Sequence, residues 1–139
     1  MKSFWKILTV VFVAGSIQAL GSCARAKPVT DPMDVTKAVF SAINNKQPEV
    51  AASYFADDAE FTAAFGQPVG KAKILAFFKT TVIPYKMHLE LTAVNAVDED
   101  VTGTFTLKDV SAYQTETNME LVAVITNGKI KSMTWSPEK

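Results

Sequence analysis

The sequence is poor in the side chains that build most metal and nucleophilic centres. It has one cysteine, Cys23, and one histidine, His88, among 139 residues. A single cysteine cannot close an internal disulfide, and one histidine beside one cysteine supplies no nitrogen and sulfur ligand set for zinc. No Gly-x-Ser-x-Gly nucleophile elbow is present. The sequence therefore predicts no metal and no cofactor, and the acidic runs at residues 57–58 and 98–100 are expected to form turns.

An excess of basic charge and a membrane-spanning apolar run are also absent from the sequence. Basic and acidic residues number 14 each, so the formal net charge is zero. Nucleic-acid-binding proteins carry a basic footprint, which this composition lacks. The apolar run near the start, residues 7–14, is shorter than the roughly 20 residues that a transmembrane helix needs. We therefore expect neither a nucleic-acid partner nor a membrane-spanning helix.

The first 22 residues have instead the organisation of a signal peptide. Lys2 and Lys6 precede the apolar run, and small residues lead up to Cys23. The stretch at residues 20–23 (LGSC) resembles the lipobox of bacterial lipoproteins, which implies that Cys23 is lipidated and becomes the new N-terminus. Cleavage there removes two of the 14 basic residues and none of the 14 acidic ones, which leaves a net charge of −2. The predicted location is the cell envelope, with a lipid anchor in the outer membrane if the host is Gram-negative.

A second processing site competes with the first. Residues 24–26 (ARA) fit the A-x-A pattern of ordinary signal peptidase, and cleavage after Ala26 would leave a chain that begins at Lys27. That product would be a soluble periplasmic or secreted protein. Export is expected under both alternatives. Residues 23–31 are predicted to be a flexible tether in front of a single domain at residues 32–137.

Three helices are predicted in the first half of this domain. Asp31 followed by Pro32 is typical of a helix start, and apolar residues then recur at helical spacing as far as Asn44. Pro48 opens a shorter second helix that is expected to reach Tyr54. A short strand is predicted over residues 59–65, and a third helix over residues 71–81, with Ile74, Phe77 and Phe78 on its buried side.

From residue 86 onward the apolar period changes to two, which is typical of strands. Met87, Leu89, Leu91 and Ala93 alternate with polar residues, and Asn127-Gly128 is a strong hairpin signal. Helices followed by antiparallel strands indicate an α+β domain in which the helices cover one side of a curved sheet. The strand at residues 119–125 is apolar on both faces except for Glu120. We therefore expect its outer face to meet a second subunit, which predicts a homodimer through the sheet.

Four segments of the domain resemble the nuclear transport factor 2-like superfamily, closest to its ketosteroid isomerase and SnoaL-like branches. They are residues 55–59 (FADDA), 65–68 (FGQP), 70–78 (GKAKILAFF) and 127–130 (NGKI), followed by Trp135. The resemblance implies a cone, in which a curved sheet is wrapped by three helices around an apolar pocket, and a dimer formed through the sheet. Enzymes and binding modules share this fold, so it does not determine function.

The isomerase pattern implies specific site positions, and most of them carry no catalytic group here. The general-base aspartate corresponds to Ala63 and the oxyanion-binding tyrosine to Val39, neither of which can transfer a proton. The acid that donates to the substrate oxygen corresponds to Glu120. The pocket is predicted to be lined by Val39, Phe55, Phe61, Ala63, Phe77, Met87, Leu89, Asn118, Glu120, Val122, Met133 and Trp135.

Two functions remain open from the sequence. The first is an exported domain without catalysis that binds a small apolar molecule or a protein partner. The second is an isomerase, dehydratase or cyclase that uses Glu120 as acid or base, with His88 as a weaker candidate. His88 alternates with Met87 and Leu89, so it is expected on the outer side of the sheet. An open cavity with a buried Glu120 beside His88 would favour the enzyme, and a filled cone would favour a module that interacts with a partner.

Overall fold

The computed structural model describes residues 29–64, 66–84, 86–109 and 116–139. The predicted signal peptide, Cys23 and most of the predicted tether lie outside these residues. In chain order the elements are α1 (Pro32–Asn44), α2 (Pro48–Ser53), β1 (Phe55–Thr62), α3 (Lys71–Phe77), a π-helical turn (Phe78–Val82), β2 (Met87–Val97), β3 (Asp100–Asp109), β4 (Glu116–Thr126) and β5 (Lys129–Pro137).

Helix α1 begins and ends where the sequence predicts. The Asp31 carboxylate accepts hydrogen bonds from the backbone N–H groups of Met33 (2.9 Å) and Asp34 (3.3 Å), which otherwise have no partner in the first turn. Pro32 has no N–H to leave unpaired. The helix buries Val35, Thr36, Val39, Phe40, Ala42 and Ile43 against the sheet.

Strand β1 begins four residues before its predicted start. The prediction that residues 57–58 form a turn is wrong, because both belong to β1, which pairs in parallel with β5 from Phe55 to Thr62. The third helix occurs as predicted at residues 71–81, but its second half is wound as the π-helical turn, with the Ile83 N–H bonded to the Phe78 carbonyl at 3.0 Å.

The five strands form one sheet in the order β1-β5-β4-β3-β2. Strands β2 to β5 are antiparallel neighbours. The predicted hairpin at Asn127-Gly128 is confirmed, with φ values of 51° and 77°, as a two-residue hairpin turn requires. The start of the described chain lies on this turn, because a Cβ on Gly128 would be 2.6 Å from the Val29 carbonyl oxygen.

The predicted α+β class is confirmed: the sheet is curved and unclosed, and helices from the first half of the chain pack against it. Within the part of the chain that the structure describes, no helix is long and apolar enough to cross a membrane. The core lies between α1, α3 and the inner face of the sheet, and its largest fully buried members are Trp135, Phe55, Phe61, Phe78 and Phe105.

Candidate functional site

The inner face of β4 differs from the one that the isomerase pattern implied. Burial alternates along the strand, and the buried row consists of Met119, Leu121, Ala123 and Ile125. Glu120 and Val122 are exposed on the opposite face, where they pair with Thr104 and Thr102 of β3. The placement of Glu120 in an apolar pocket is therefore corrected: its carboxylate lies in solvent on the outer face.

The other predicted pocket residues divide according to burial. Seven lie inside the cone, namely Val39, Phe55, Phe61, Ala63, Leu89, Met133 and Trp135. Phe77 and Met87 are half-buried and pack against the core. Asn118 and Val122 are exposed beside Glu120, and their placement in the pocket is wrong as well. The alternation in β4 is evident from the sequence, but both of its rows are largely apolar. The row without a charged residue is the inner one.

The interior of the cone is filled by aromatic rings. The ring of Trp135 lies 4.9 Å from that of Phe61, 5.2 Å from that of Phe105 and 5.7 Å from that of Phe40, measured between centroids. All three contacts are edge-to-face, the geometry that aromatic pairs prefer in cores. A cavity large enough for a water molecule would leave part of its wall exposed. Val39 is 0 % exposed, however, and Phe61 and Trp135 are each 1 % exposed. These walls therefore enclose no space for a ligand.

One polar atom within this interior has no hydrogen-bond partner. The indole Nε1 of Trp135 is buried and unpaired. The other buried polar side chain, Thr36, donates from its hydroxyl to the Pro32 carbonyl at 2.9 Å. A buried, unpaired N–H costs roughly 1–3 kcal/mol relative to a paired one. The cone therefore carries a lone donor, and its described residues provide no carboxylate or imidazole that could transfer a proton.

The two candidate acid–base residues are separated in the sheet. Glu120 pairs with Thr104, whereas His88 pairs with Lys108 on the other side of β3. Their partners on β3 are four residues apart, which corresponds to about 13 Å along the strand. Glu120 and His88 are also two strands apart across the sheet. His88 is exposed on the outer face, as the alternation predicted. The structure does not bring Glu120 and His88 together.

The charges near His88 pair with one another. The Lys108 ammonium lies 2.6 Å from the Glu90 carboxylate and 3.9 Å from that of Glu116. The hydrogen bond from Lys108, and then its charge, lower the pKa of Glu90, while the same hydrogen bond raises the pKa of Lys108. These groups are solvated, so the pairs add little to stability. Among the described residues, no group of three or more histidine, cysteine or acidic side chains is placed to hold a metal ion.

The sequence pattern marks Asn44 only as the end of α1 and gives no sign of its contact with the sheet. Its side-chain amide accepts a hydrogen bond from the Leu89 N–H (2.8 Å) and donates one to the Leu89 carbonyl (2.7 Å). Because β2 is an edge strand, these two main-chain groups face away from β3. Asn44 thus occupies the open edge of the sheet at the end of the cone.

Comparison with known proteins identifies the class that this fold defines. The family model of the SnoaL-like domain matches residues 36–133. No curated protein matches the chain. Among solved structures, the chain is similar to an NTF2-like protein of unknown function from Cytophaga hutchinsonii, with a TM-score of 0.68 and 12 % sequence identity. The match covers 81 % of this chain and 95 % of that one.

A second similar structure has the ketosteroid isomerase-like fold. It comes from Catenulispora acidiphila and was solved in complex with trimethylamine, with a TM-score of 0.67 and 17 % identity over 73 % of this chain and 83 % of that one. At these identities the likeness shows the fold alone. With the family model covering most of the domain, the chain belongs to the SnoaL-like domain family, which has the nuclear transport factor 2-like fold.

Proposed function

We propose that this protein is an exported, lipid-anchored domain of the cell envelope that pairs with a second copy of itself and does not catalyse a reaction in its cone. The observation that carries the proposal is the filled interior. Catalysis needs room for a substrate beside a group that moves a proton or stabilises charge. The described interior offers neither, since rings fill it and Ala63 and Val39 stand at the positions of the family's base and tyrosine.

The outer face of the sheet supports self-association. Its central part is built from small, uncharged side chains on four strands: Ala93, Asn95, Thr102, Thr104, Val122, Val124, Ser132 and Thr134. Glu120 is the charged residue among them, and the ion pairs of Lys108 lie near the end of the sheet where β2 begins. Val122 is 53 % exposed, and the face carries an open groove of about 380 Å³ between β2, β3 and β4.

Charge favours a second copy as the occupant of this face. A face without clustered charge of one sign does not repel its own copy, and β-branched side chains suit the packing of two sheets about 10 Å apart. A strongly charged partner would find little to pair with there. In such a dimer the inner face of β4 packs against the helices of its own chain, and the outer face packs against the second copy.

The position of the first described residues is compatible with a lipid anchor. Val29 and Thr30 lie on the turn at Gly128, so the described part of the chain begins at this end of the sheet. Cys23 precedes Val29 by six residues, which span at most about 20 Å when extended. An anchored domain would therefore hold the β4–β5 turn near the membrane and leave the outer face of the sheet free to pair.

Sedimentation of the mature domain tests the self-association. We expect a dimer at micromolar concentration, and we expect Val122→Asp to convert it to a monomer because each copy would bring a second carboxylate into the interface beside Glu120. Val50→Asp is the matched control, since Val50 is 44 % exposed on α2, outside the sheet. A monomeric wild-type domain, or equal effects of the two substitutions, would refute pairing through this face.

Intact mass of the protein from membranes tests the anchoring. A diacyl or triacyl adduct on Cys23 is expected. A chain that begins at Lys27 without lipid would instead establish a soluble exported protein.

A further inference from the structure

We propose that a notch at the end of the cone binds small carboxylic acids through an apolar floor and two lysines. The notch has a volume of about 220 Å³ and lies where α1 ends, where the segment after the π-helical turn ends, and where β2 begins. This site is distinct from both the filled interior and the outer face of the sheet, so its test is independent of the proposed dimer.

The floor of the notch is apolar. Ile83 and Met87 are half-buried and present apolar surface to the notch, and Ile43 lies beside them with 2 % of its surface exposed. Asn44 also lines the notch, but both ends of its amide are engaged by Leu89, so it stiffens the wall. Since one water occupies about 30 Å³ in the liquid, this volume suits a molecule of some six to ten heavy atoms. Burial of an alkyl or aryl tail against the floor would supply the non-specific part of the affinity.

Two lysines on the rim have an unusual backbone conformation. Lys46 has a φ of 58° and Lys86 a φ of 53°. The Lys46 N–H donates to the Ile43 carbonyl at 3.0 Å, and the Lys86 N–H to the Ile83 carbonyl at 2.9 Å, so each terminates a helical segment. Glycine is the usual residue in this left-handed position, and a larger residue costs roughly 1 kcal/mol there. Both lysines line the same notch, and each adopts this conformation at the expense of local backbone energy.

Neither ammonium group is neutralised within the described part of the chain. Lys79, Lys108 and Lys131 have acidic partners within 4 Å, whereas Lys46 and Lys86 have none among the described residues. An apolar floor with unpaired cations on its rim is complementary to a carboxylate attached to a short hydrocarbon tail.

The test uses hexanoate as the probe and amide chemical shifts of the mature domain as the readout. We expect millimolar hexanoate to shift the amides of Lys46, Met87 and His88 saturably, and hexanol to bind at least about tenfold more weakly, because a charge-assisted hydrogen bond is lost. Lys46→Gln with Lys86→Gln should lower hexanoate affinity about tenfold or more and leave hexanol unaffected. Lys73→Gln, which removes an exposed lysine from the first turn of α3, is the control.

A second variant separates binding from folding. Lys46→Gly with Lys86→Gly relieves the left-handed backbone, so we expect an unchanged or higher Tm together with the loss of hexanoate binding. Hexanoate that leaves the notch amides unmoved, or that binds the glutamine variant as tightly as the wild type, would overturn the proposal.

Discussion

At the scale of single residues, Trp135 shows most clearly what kind of interior this is. Its ring is in edge-to-face contact with three phenylalanine rings, and its Nε1 has no partner. Buried tryptophans usually pair this donor. In a cone that held a ligand, a carbonyl or hydroxyl oxygen could accept it. Here the favourable contacts of the rings offset the free-energy cost of the unpaired donor. Trp135 is therefore a core residue.

Trp135 substitutions should separate packing from hydrogen bonding. Trp135→Phe loses ring volume but also removes the unpaired donor, so we expect a loss of only about 1–2 kcal/mol in the free energy of unfolding. Trp135→Ala leaves a cavity among three rings and should cost about 3–5 kcal/mol. Urea unfolding of both variants measures the difference. A loss from Trp135→Phe as large as that from Trp135→Ala would mean that Nε1 is paired after all.

For Glu120, the sequence does not determine on which side of the sheet the carboxylate lies. Periodicity placed it correctly in one row with Val122 and Val124, but β4 is apolar on both faces, so the row could be assigned to either side. The isomerase resemblance favoured the inside, and burial places the row outside. The inner row at Met119, Leu121, Ala123 and Ile125 contains no charged residue, and that difference was the usable signal. His88 lies beside inward Met87 and Leu89, so its side of the sheet was predictable.

At the scale of elements, the sequence predicts the helices better than the strands. Asp31 and Pro32 act through local capping and backbone geometry, so α1 is defined by residues adjacent in sequence. Strand β1 begins at Phe55 because that residue pairs with Ile130, 75 positions later. Strand β2 carries a bulge between Leu91 and Ala93, which turns Ala93 outward although the alternation placed it inside. Such long-range pairing leaves no local signal.

The contact between Asn44 and Leu89 ties α1 to the edge of the sheet. Asn44→Ala would leave the N–H and carbonyl of Leu89 without their partner in a part-buried position, so we expect a loss of about 2–3 kcal/mol in the free energy of unfolding. Hydrogen exchange at the Leu89 amide should accelerate in parallel.

Asn45→Ala is the matched control for this prediction. The Asn45 side chain is exposed and makes a hydrogen bond of 3.3 Å to the Ser41 hydroxyl one turn away, so its loss should change stability by less than about 0.5 kcal/mol. If Asn44→Ala lowers the free energy of unfolding no more than Asn45→Ala does, water replaces the amide at this edge. Asn44 then does not stabilise the edge of the sheet.

At the scale of the whole molecule, the charged side chains of the described residues lie at the surface. The buried side chains in the described part of the chain are apolar, apart from Thr36, which does not ionise near neutral pH. Enzyme sites concentrate groups whose pKa values are shifted by burial and by close charges. The shifted pKa values of the described residues belong instead to exposed ion pairs, namely Glu90 with Lys108 and Glu49 with Lys79.

This distribution predicts how stability depends on pH. Hydrogen bonds from Lys108 and Lys79 are the largest causes that lower the pKa of Glu90 and Glu49, respectively. The stabilising contribution of these two carboxylates is therefore present above the ordinary value of 4.5 and is lost as pH falls through the lowered values. The pKa of Lys108 is raised, so its contribution is present below 10.5 and is lost as pH rises through the raised value. Thermal melting followed by circular dichroism should therefore give a Tm that is nearly constant from pH 6 to pH 9 and that falls only slightly as these carboxylates are protonated in acid, because exposed pairs add little to stability. A steep change within that plateau would contradict this prediction, because it would reveal a further ionisable group whose titration is linked to folding.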